Sequence, residues 1–206
     1  MILLNLSNQS FFTIEKLFEK MIGEQLQFHT ISNSFIHCCQ LGSLKHRSTT
    51  DMGVALTHSI CSGWIKNLTT STLAFDIAQF YPSLNHQLLL CIINKVGLDY
   101  KVSNFFKDYL VRRKTRYLWN NFFSPFYSID VGVGQGSALS PILSALYFSL
   151  ILYIFEICLK SLKILISIIS FIDDGLLSLK TNPYLILMQI FFVVIISCLS
   201  FSWNLD

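Results

Sequence analysis

At 206 residues the chain is long enough to bury one sizeable core, and its length favours one domain or part of one over two. Its composition is 52% hydrophobic and only 13% charged, where ordinary soluble domains carry about 25% charged residues, so part of the chain is deeply buried, lipid-facing or abnormal. A net charge of +3 excludes functions driven by bulk charge: it permits a polyanionic partner, and only local clusters can point to one.

Residues 1–12 lack a basic n-region and are broken by Asn5, Ser7, Asn8, Gln9 and Ser10, which is not the pattern of a secretory signal. Phe11, Ile14, Leu17, Phe18, Met21, Ile22 and Leu26 then recur at helical spacing with Glu and Lys on the other face. That spacing predicts an amphipathic helix of about four turns. His29, His37, Cys38 and Cys39 follow, but their spacing matches no zinc-ligand pattern, and they read as packing and loop residues. The six cysteines include no C-x-x-C pair and read as reduced thiols of an intracellular protein, nuclear or cytoplasmic.

Residues 40–50 are polar and basic and read as a loop, and a helix is expected over 51–65 with Asp51 as its cap. The period changes at 71–77, where STLAFDI suits a buried strand ending near Asp76. Helical spacing returns in Leu84, Leu88, Leu89, Ile92, Ile93 and Val96, with Gly97 as a stop, and again in Val102, Phe105, Phe106, Tyr109 and Leu110. Residues 116–119 and 126–131, with an Asn120-Asn121 turn, predict a hairpin. After a glycine-rich loop at 132–136, Pro141 opens a long apolar helix to about Leu159. Residues 164–172 and 175–179 predict two strands around a tight turn at Asp173-Asp174. This order fits an α+β architecture, an antiparallel sheet backed by helices on one face. No linker or internal repeat divides it.

The chemistry-bearing candidates are carboxylates. Asp173 and Asp174 are adjacent between two very apolar runs, where mutual repulsion and desolvation call for a compensating cation. A solvated turn at a hairpin tip accounts for the same pair. Asp76, at the end of the 71–77 strand, reads alone as a cap or turn former. Taken together, three carboxylates from two strand ends have the makings of a site for two Mg²⁺ ions.

Three segments carry a family likeness: FDIAQFYPSLNH at 75–86, GVGQGSALSPIL at 132–143 and FIDDGL at 171–176. They resemble motifs A, B and C of reverse transcriptases, in that family's order, with 59 residues from Asp76 to Gln135 and 38 from Gln135 to Asp173. The phrasing is most similar to non-LTR (LINE-type) retrotransposon polymerases. The resemblance implies a right-hand polymerase palm with partial fingers and an RNA-directed DNA polymerase activity, a nucleotidyltransferase using an RNA template, a DNA primer and dNTPs.

The same likeness implies residue roles. Asp76 and Asp173 would ligate both Mg²⁺ ions, for which Mn²⁺ is a substitute, with Asp174 as the third carboxylate. Tyr81 would crowd the sugar 2′ position, and Gln135 and Gly136 would lie along the incoming nucleotide. The segment GSLKHRSTTD at 42–51 resembles the fingers sequence of these enzymes and makes Lys45 and Arg47 candidates for the triphosphate, although Leu44 stands where an aromatic is usual. Arg112, Arg113, Lys114 and Arg116, interleaved with Tyr117 and Trp119, suit a nucleic-acid backbone contact; a solvated basic hairpin is the competing reading.

The likeness spans roughly 40–179, so the expected division is an N-terminal helical segment at 1–39, a fingers and palm domain at 40–180 and an apolar tail at 181–206. After motif C such enzymes continue with a primer grip and a helical thumb, for which no counterpart is recognisable, so an incomplete enzyme or a non-catalytic remnant is expected. Residues 184–203 are twenty uncharged residues, long enough to cross a bilayer, which leaves open a membrane segment, a core segment or a stretch read in a shifted frame.

Overall fold

The computed structural model describes residues 13–111, 113–120, 122–134, 136–161 and 166–181. Helix α1 (Thr13–Ser32) runs further than the apolar spacing predicts. It buries Ile22 and Leu26 against the core and leaves Leu17 and Met21 on the surface. Helix α2 (Thr49–Ile65) begins two residues before the predicted start. Ser48 is its N-cap, accepting from Asp51 N–H, while the Asp51 carboxylate accepts from Ser48 N–H at 2.7 Å. Asp51 is therefore the third residue of the helix, closing a capping box with Ser48, and not the cap, an arrangement that satisfies two end groups at once.

Strand β1 (Thr69–Phe75) stops one residue short of Asp76. The short helix α3 (Phe80–Ser83) follows, entered through Gln79 in a left-handed conformation (φ 54°). Helix α4 (His86–Val96) starts where Asn85 accepts from Leu88 N–H at 2.9 Å and ends at left-handed Gly97. Helix α5 (Tyr100–Val111) packs beside it, burying Phe106 and Leu110 completely. Each such side chain removed from water contributes about 1.5–3 kcal/mol.

The hairpin forms in two separated pieces: β2 (Lys114–Thr115) pairs with β5 (Tyr127–Ser128), and β3 (Leu118–Trp119) with β4 (Phe122–Phe123). Pro125 has no N–H to give to a ladder. Ser124 fills the gap, its hydroxyl accepting from Tyr117 N–H at 2.7 Å and its N–H donating to Tyr117 C=O at 2.9 Å. Helix α6 (Ser140–Ser161) then crosses the core and buries Leu143, Leu146, Phe148 and Leu152. It is long and apolar enough to span a bilayer, but half of its most apolar stretch is buried inside the protein.

Strands β6 (Ile166–Phe171) and β7 (Asp174–Thr181) complete an antiparallel sheet of order β1-β7-β6. Leu73, Leu177 and Ile168 are cross-strand neighbours and face the helical core. The sequence predicts helices on one face of the sheet, and α2 covers part of the other: Lys180 Nζ donates to Ser62 Oγ at 2.7 Å, Gly63 abuts Thr70, and Ser178 is buried there. That cover sits toward the end of the sheet remote from the aspartates. The apolar tail at 184–203 lies outside the described residues.

Candidate active site

The register of the sheet brings the three predicted carboxylates to one end. Phe75 pairs with Gly175 and Phe171 with Asp174, so Asp76, one step beyond β1, comes beside the Asp173-Asp174 turn. Close pairing of β1 and β7 depends on Gly175, because the Phe75 ring lies directly over it: a Cβ there would sit 2.0 Å from Phe75 Cζ. Asp76 and Asp174 are exposed and Asp173 is half-buried. Burial pushes the Asp173 carboxyl above the usual aspartate range, and the negative charges of Asp174 and Asp76 push it further; its own backbone N–H opposes the shift. The carboxylates gathered at this end of the sheet offer only oxygen donors, the type a hard divalent cation takes.

Tyr81 stands beside this group. Burial raises its phenol above the ordinary tyrosine value, the neighbouring Ser144 hydroxyl offsets part of that, and the charge of Asp173 adds to it. Its ring belongs to the edge of the core, against Phe80. The turn carrying Tyr81 is stitched to the glycine-rich loop: Val133 N–H donates to Tyr81 C=O at 2.9 Å, and Gly132 N–H donates to Leu84 C=O at 2.7 Å. The buried His86 ring donates through Nε2 to Gly132 C=O at 2.6 Å, which fixes its tautomer because a carbonyl only accepts. Gly136 lies in this loop with φ 93°. Gln135 lies outside the described residues.

A buried carboxylate that the sequence did not single out holds the far side of that loop. Glu19 of α1, 2% exposed, accepts from the Ser137 hydroxyl at 2.8 Å and from Ala138 N–H at 2.9 Å. Ser137 in turn accepts from the Tyr109 hydroxyl at 2.7 Å. The acid thus sits at the N-terminal end of α6, where unpaired N–H groups favour negative charge. Glu19 falls within a run of alternating Glu and Lys, so only its burial separates it from a solvated charge. Gln40 is a second such residue: it is 1% exposed and its side chain reaches the motif C turn.

The predicted basic residues divide. Lys45 is exposed and pairs with Glu24 at 3.0 Å, which holds the Glu24 carboxyl below its usual range. Arg47 is exposed on the same loop. Arg113 packs over Gly134 and the Tyr109 ring, 5.5 Å from its centroid. Arg116 stacks on Phe123 at 4.1 Å and on Phe126 at 5.0 Å. Lys114 points to solvent. Arg112 lies outside the described residues.

Among the described residues, the one group of three His, Cys, Asp or Glu side chains whose ligand atoms all lie within 4.8 Å of one another is His37, Cys38 and Cys39. His37 Nδ1 accepts from Cys39 N–H at 3.2 Å while Nε2 reaches Glu156 at 3.1 Å. A neutral imidazole accepting at Nδ1 carries its proton on Nε2, so neither nitrogen has a lone pair left for a metal. Burial and the adjacent Cys38 push the Cys39 thiol up to about 12, so without a metal it stays protonated.

An antiparallel sheet with acidic residues at one end, a helix-capped glycine loop beside them and helices behind defines the palm of a right-hand polymerase. The model of the reverse transcriptase (RNA-dependent DNA polymerase) family matches residues 11–198. The chain belongs to that family. Among solved structures it is similar to apo telomerase from Candida tropicalis truncated from its C-terminal domain, with a TM-score of 0.59 and 14% identity over 78% of this chain and 33% of that one. It is also similar to telomerase from Candida albicans in complex with a fragment of telomeric RNA, with a TM-score of 0.52 and 14% identity over 78% of this chain and 30% of that one. At that identity the likeness is one of fold, and the chain spans about a third of the telomerase chains it matches. A comparison with curated proteins gave no match.

Proposed function

We propose that the chain is the fingers and palm core of an RNA-directed DNA polymerase of a non-LTR retrotransposon, working in the nucleus or cytoplasm. It adds dNTPs to the 3′-hydroxyl of a DNA primer on an RNA template. The observation that carries this reading is the convergence of Asp76, Asp173 and Asp174 at one end of the sheet, beside Tyr81. The retrotransposon assignment rests on the wording of motifs A and B.

Asp76, Asp173 and Asp174 would hold two Mg²⁺ ions, or Mn²⁺ in their place, which when bound make the 3′-hydroxyl a better nucleophile and neutralise charge on the leaving pyrophosphate. Asp76 and Asp174, being exposed, offer carboxylate oxygens to solvent-borne ions, with the half-buried Asp173 beside them. Tyr81 presents its ring to the sugar and excludes a 2′-hydroxyl. Gln135 and Gly136 lie along the nucleotide, where a residue without Cβ lets the backbone approach closely. Lys45 and Arg47 meet the triphosphate, with Lys45 exchanging Glu24 for a stronger anion. Arg112, Lys114 and the aromatic hairpin track the phosphate backbone, while Arg113 and Arg116 brace the loop and the hairpin that do so.

Single-nucleotide addition to a DNA primer annealed to RNA, with purified full chain and Mg²⁺, tests the reading. Wild-type protein is expected to extend the primer and Asp173→Asn to lose at least about a hundredfold in rate, since electrostatic stabilisation at the reacting atoms is removed. Equal incorporation by the two proteins would show that the activity belongs to a contaminant.

A further inference from the structure

Residues 39–41 add a short parallel rung to the free edge of β6: Ser170 N–H donates to Cys39 C=O at 2.9 Å and Leu41 N–H donates to Ser170 C=O at 2.8 Å. Gln40, in the middle of that rung, is 1% exposed and spends its side chain on the turn before Asp173. Its Nε2 donates to Ile172 C=O at 3.0 Å. Its Oε1 accepts from Ile172 N–H at 3.0 Å and from Gly42 N–H at 3.0 Å. Two donors face Oε1 and one carbonyl faces Nε2, so the amide has only one orientation that satisfies its surroundings.

Both main-chain groups of one residue are thus held by a single side chain. That residue is in an unusual state, because Ile172 has φ 62°, a left-handed conformation that a β-branched side chain adopts at a cost of about 1–3 kcal/mol. Such a conformation persists only where the surroundings impose it. Gly42 closes the remaining space: a Cβ there would lie 2.3 Å from Ile172 N and 2.6 Å from Ile172 Cγ1. Asp173 is the next residue, so the dihedral angles of Ile172 set the direction in which its carboxylate leaves the turn.

We propose that Gln40 is a positioning residue for the cation-binding carboxylates, its amide locking Ile172 in the left-handed conformation that aims Asp173 at Asp76 and Asp174. This rests on the reading of those three residues as a divalent-cation site. Without the amide bracket Ile172 relaxes to negative φ, Asp173 turns away, and the three acids no longer share an ion. Gln40 touches neither ion nor substrate. Its effect passes through the backbone of the turn, as partners of ligand residues commonly tune metal affinity by 10–100-fold.

Mn²⁺ binding to the full chain, followed by the loss of the free-ion electron paramagnetic resonance signal, tests it alongside thermal melts. Gln40→Met, which keeps length and removes every hydrogen bond, is expected to weaken Mn²⁺ binding about tenfold. Leu26→Ala, a buried change in α1, is expected to lower the Tm and leave Mn²⁺ affinity unchanged. Gln40→Met binding Mn²⁺ like wild type, or Leu26→Ala weakening it equally, would overturn the positioning role alone. Wild type failing to bind Mn²⁺, or Asp173→Asn binding as tightly, would sink the cation site and the proposal with it. Should Gln40→Met fail to fold, amide exchange in the wild type decides: strong protection of Ile172 N–H supports the bracket, and exchange as fast as an open turn overturns it.

Discussion

Asp173 is held where its own charge is unwelcome, and the consequence is measurable without any catalysis. Its carboxyl is raised above the ordinary range by burial and by the charges of Asp174 and Asp76. A group whose folded value is raised stabilises the fold when protonated, below its unfolded value, and that contribution is lost as pH rises through the folded value. At neutral pH the charged Asp173 therefore costs stability in the absence of cations. Asp173→Asn is expected to raise the Tm of the metal-free protein by a few degrees near pH 7, and the difference should close as the pH falls into the acid range. A melt series in chelator at several pH values checks both the sign and the window. Tyr81 supplies a second prediction at this scale, because its ring and its hydroxyl can be separated. Tyr81→Ala is expected to raise ribonucleotide over deoxynucleotide incorporation by about tenfold or more, with Tyr81→Phe close to wild type, since the ring supplies the steric block. Competition between rNTP and dNTP in primer extension reads the ratio.

Elements built on periodic apolar spacing were legible in the sequence, and those fixed by single polar contacts were not. Helices α4 and α6 and the pairing of two strand ends lie where Ile93, Leu152 and the Asp-bearing motifs put them, because burial follows period. Ser48 is one of several Ser and Thr residues near the start of α2, and only the three-dimensional placement of Asp51 selects it as the cap. The break at Pro125 divides the hairpin because a missing N–H matters only once its partner strand is known. Glu19 and Gln40 escape for a related reason: a lone buried polar residue has no period, and its partners lie at 137–138 and 172. The candidate aspartates were legible because three short motifs occur in order. Two element-scale predictions follow from these contacts. Gly175→Ala forces a Cβ into the Phe75 ring and is expected to cost about 1–3 kcal/mol, loosening the β1 to β7 pairing that carries Asp76. Glu19→Ala leaves the Ser137 hydroxyl and Ala138 N–H without their acceptor and is expected to cost about 1–3 kcal/mol. Urea titration of each variant, with the slope held equal to wild type, gives the values.

Across the whole molecule, packing and charge are sorted by position. The long apolar helix α6 forms the spine of the core, while α1 and residues 39–42 reach across it to brace the two loops flanking the acids. The sum of +3 says little about a polyanionic partner, because the basic hairpin has already committed some of its cations. Arg113 rests on Tyr109 and the loop at Gly134, and Arg116 stacks on two phenylalanine rings. Lys114 is exposed on the same hairpin, which also carries the solvent-facing Trp119, Phe122 and Tyr127. A phosphate backbone lying along it would, among the described residues, displace counterions chiefly through Lys114. Each neutralised phosphate changes the slope of log affinity against log salt by about 0.9 on a duplex. Lys114→Ala is therefore expected to reduce the magnitude of that slope by about one, and Arg113→Ala to leave it nearly unchanged. Fluorescence anisotropy of an RNA–DNA primer-template over a range of salt measures both. The reverse ranking would mean that Arg113 leaves its aromatic seat when nucleic acid binds, and that the loop at Gly134 moves with it.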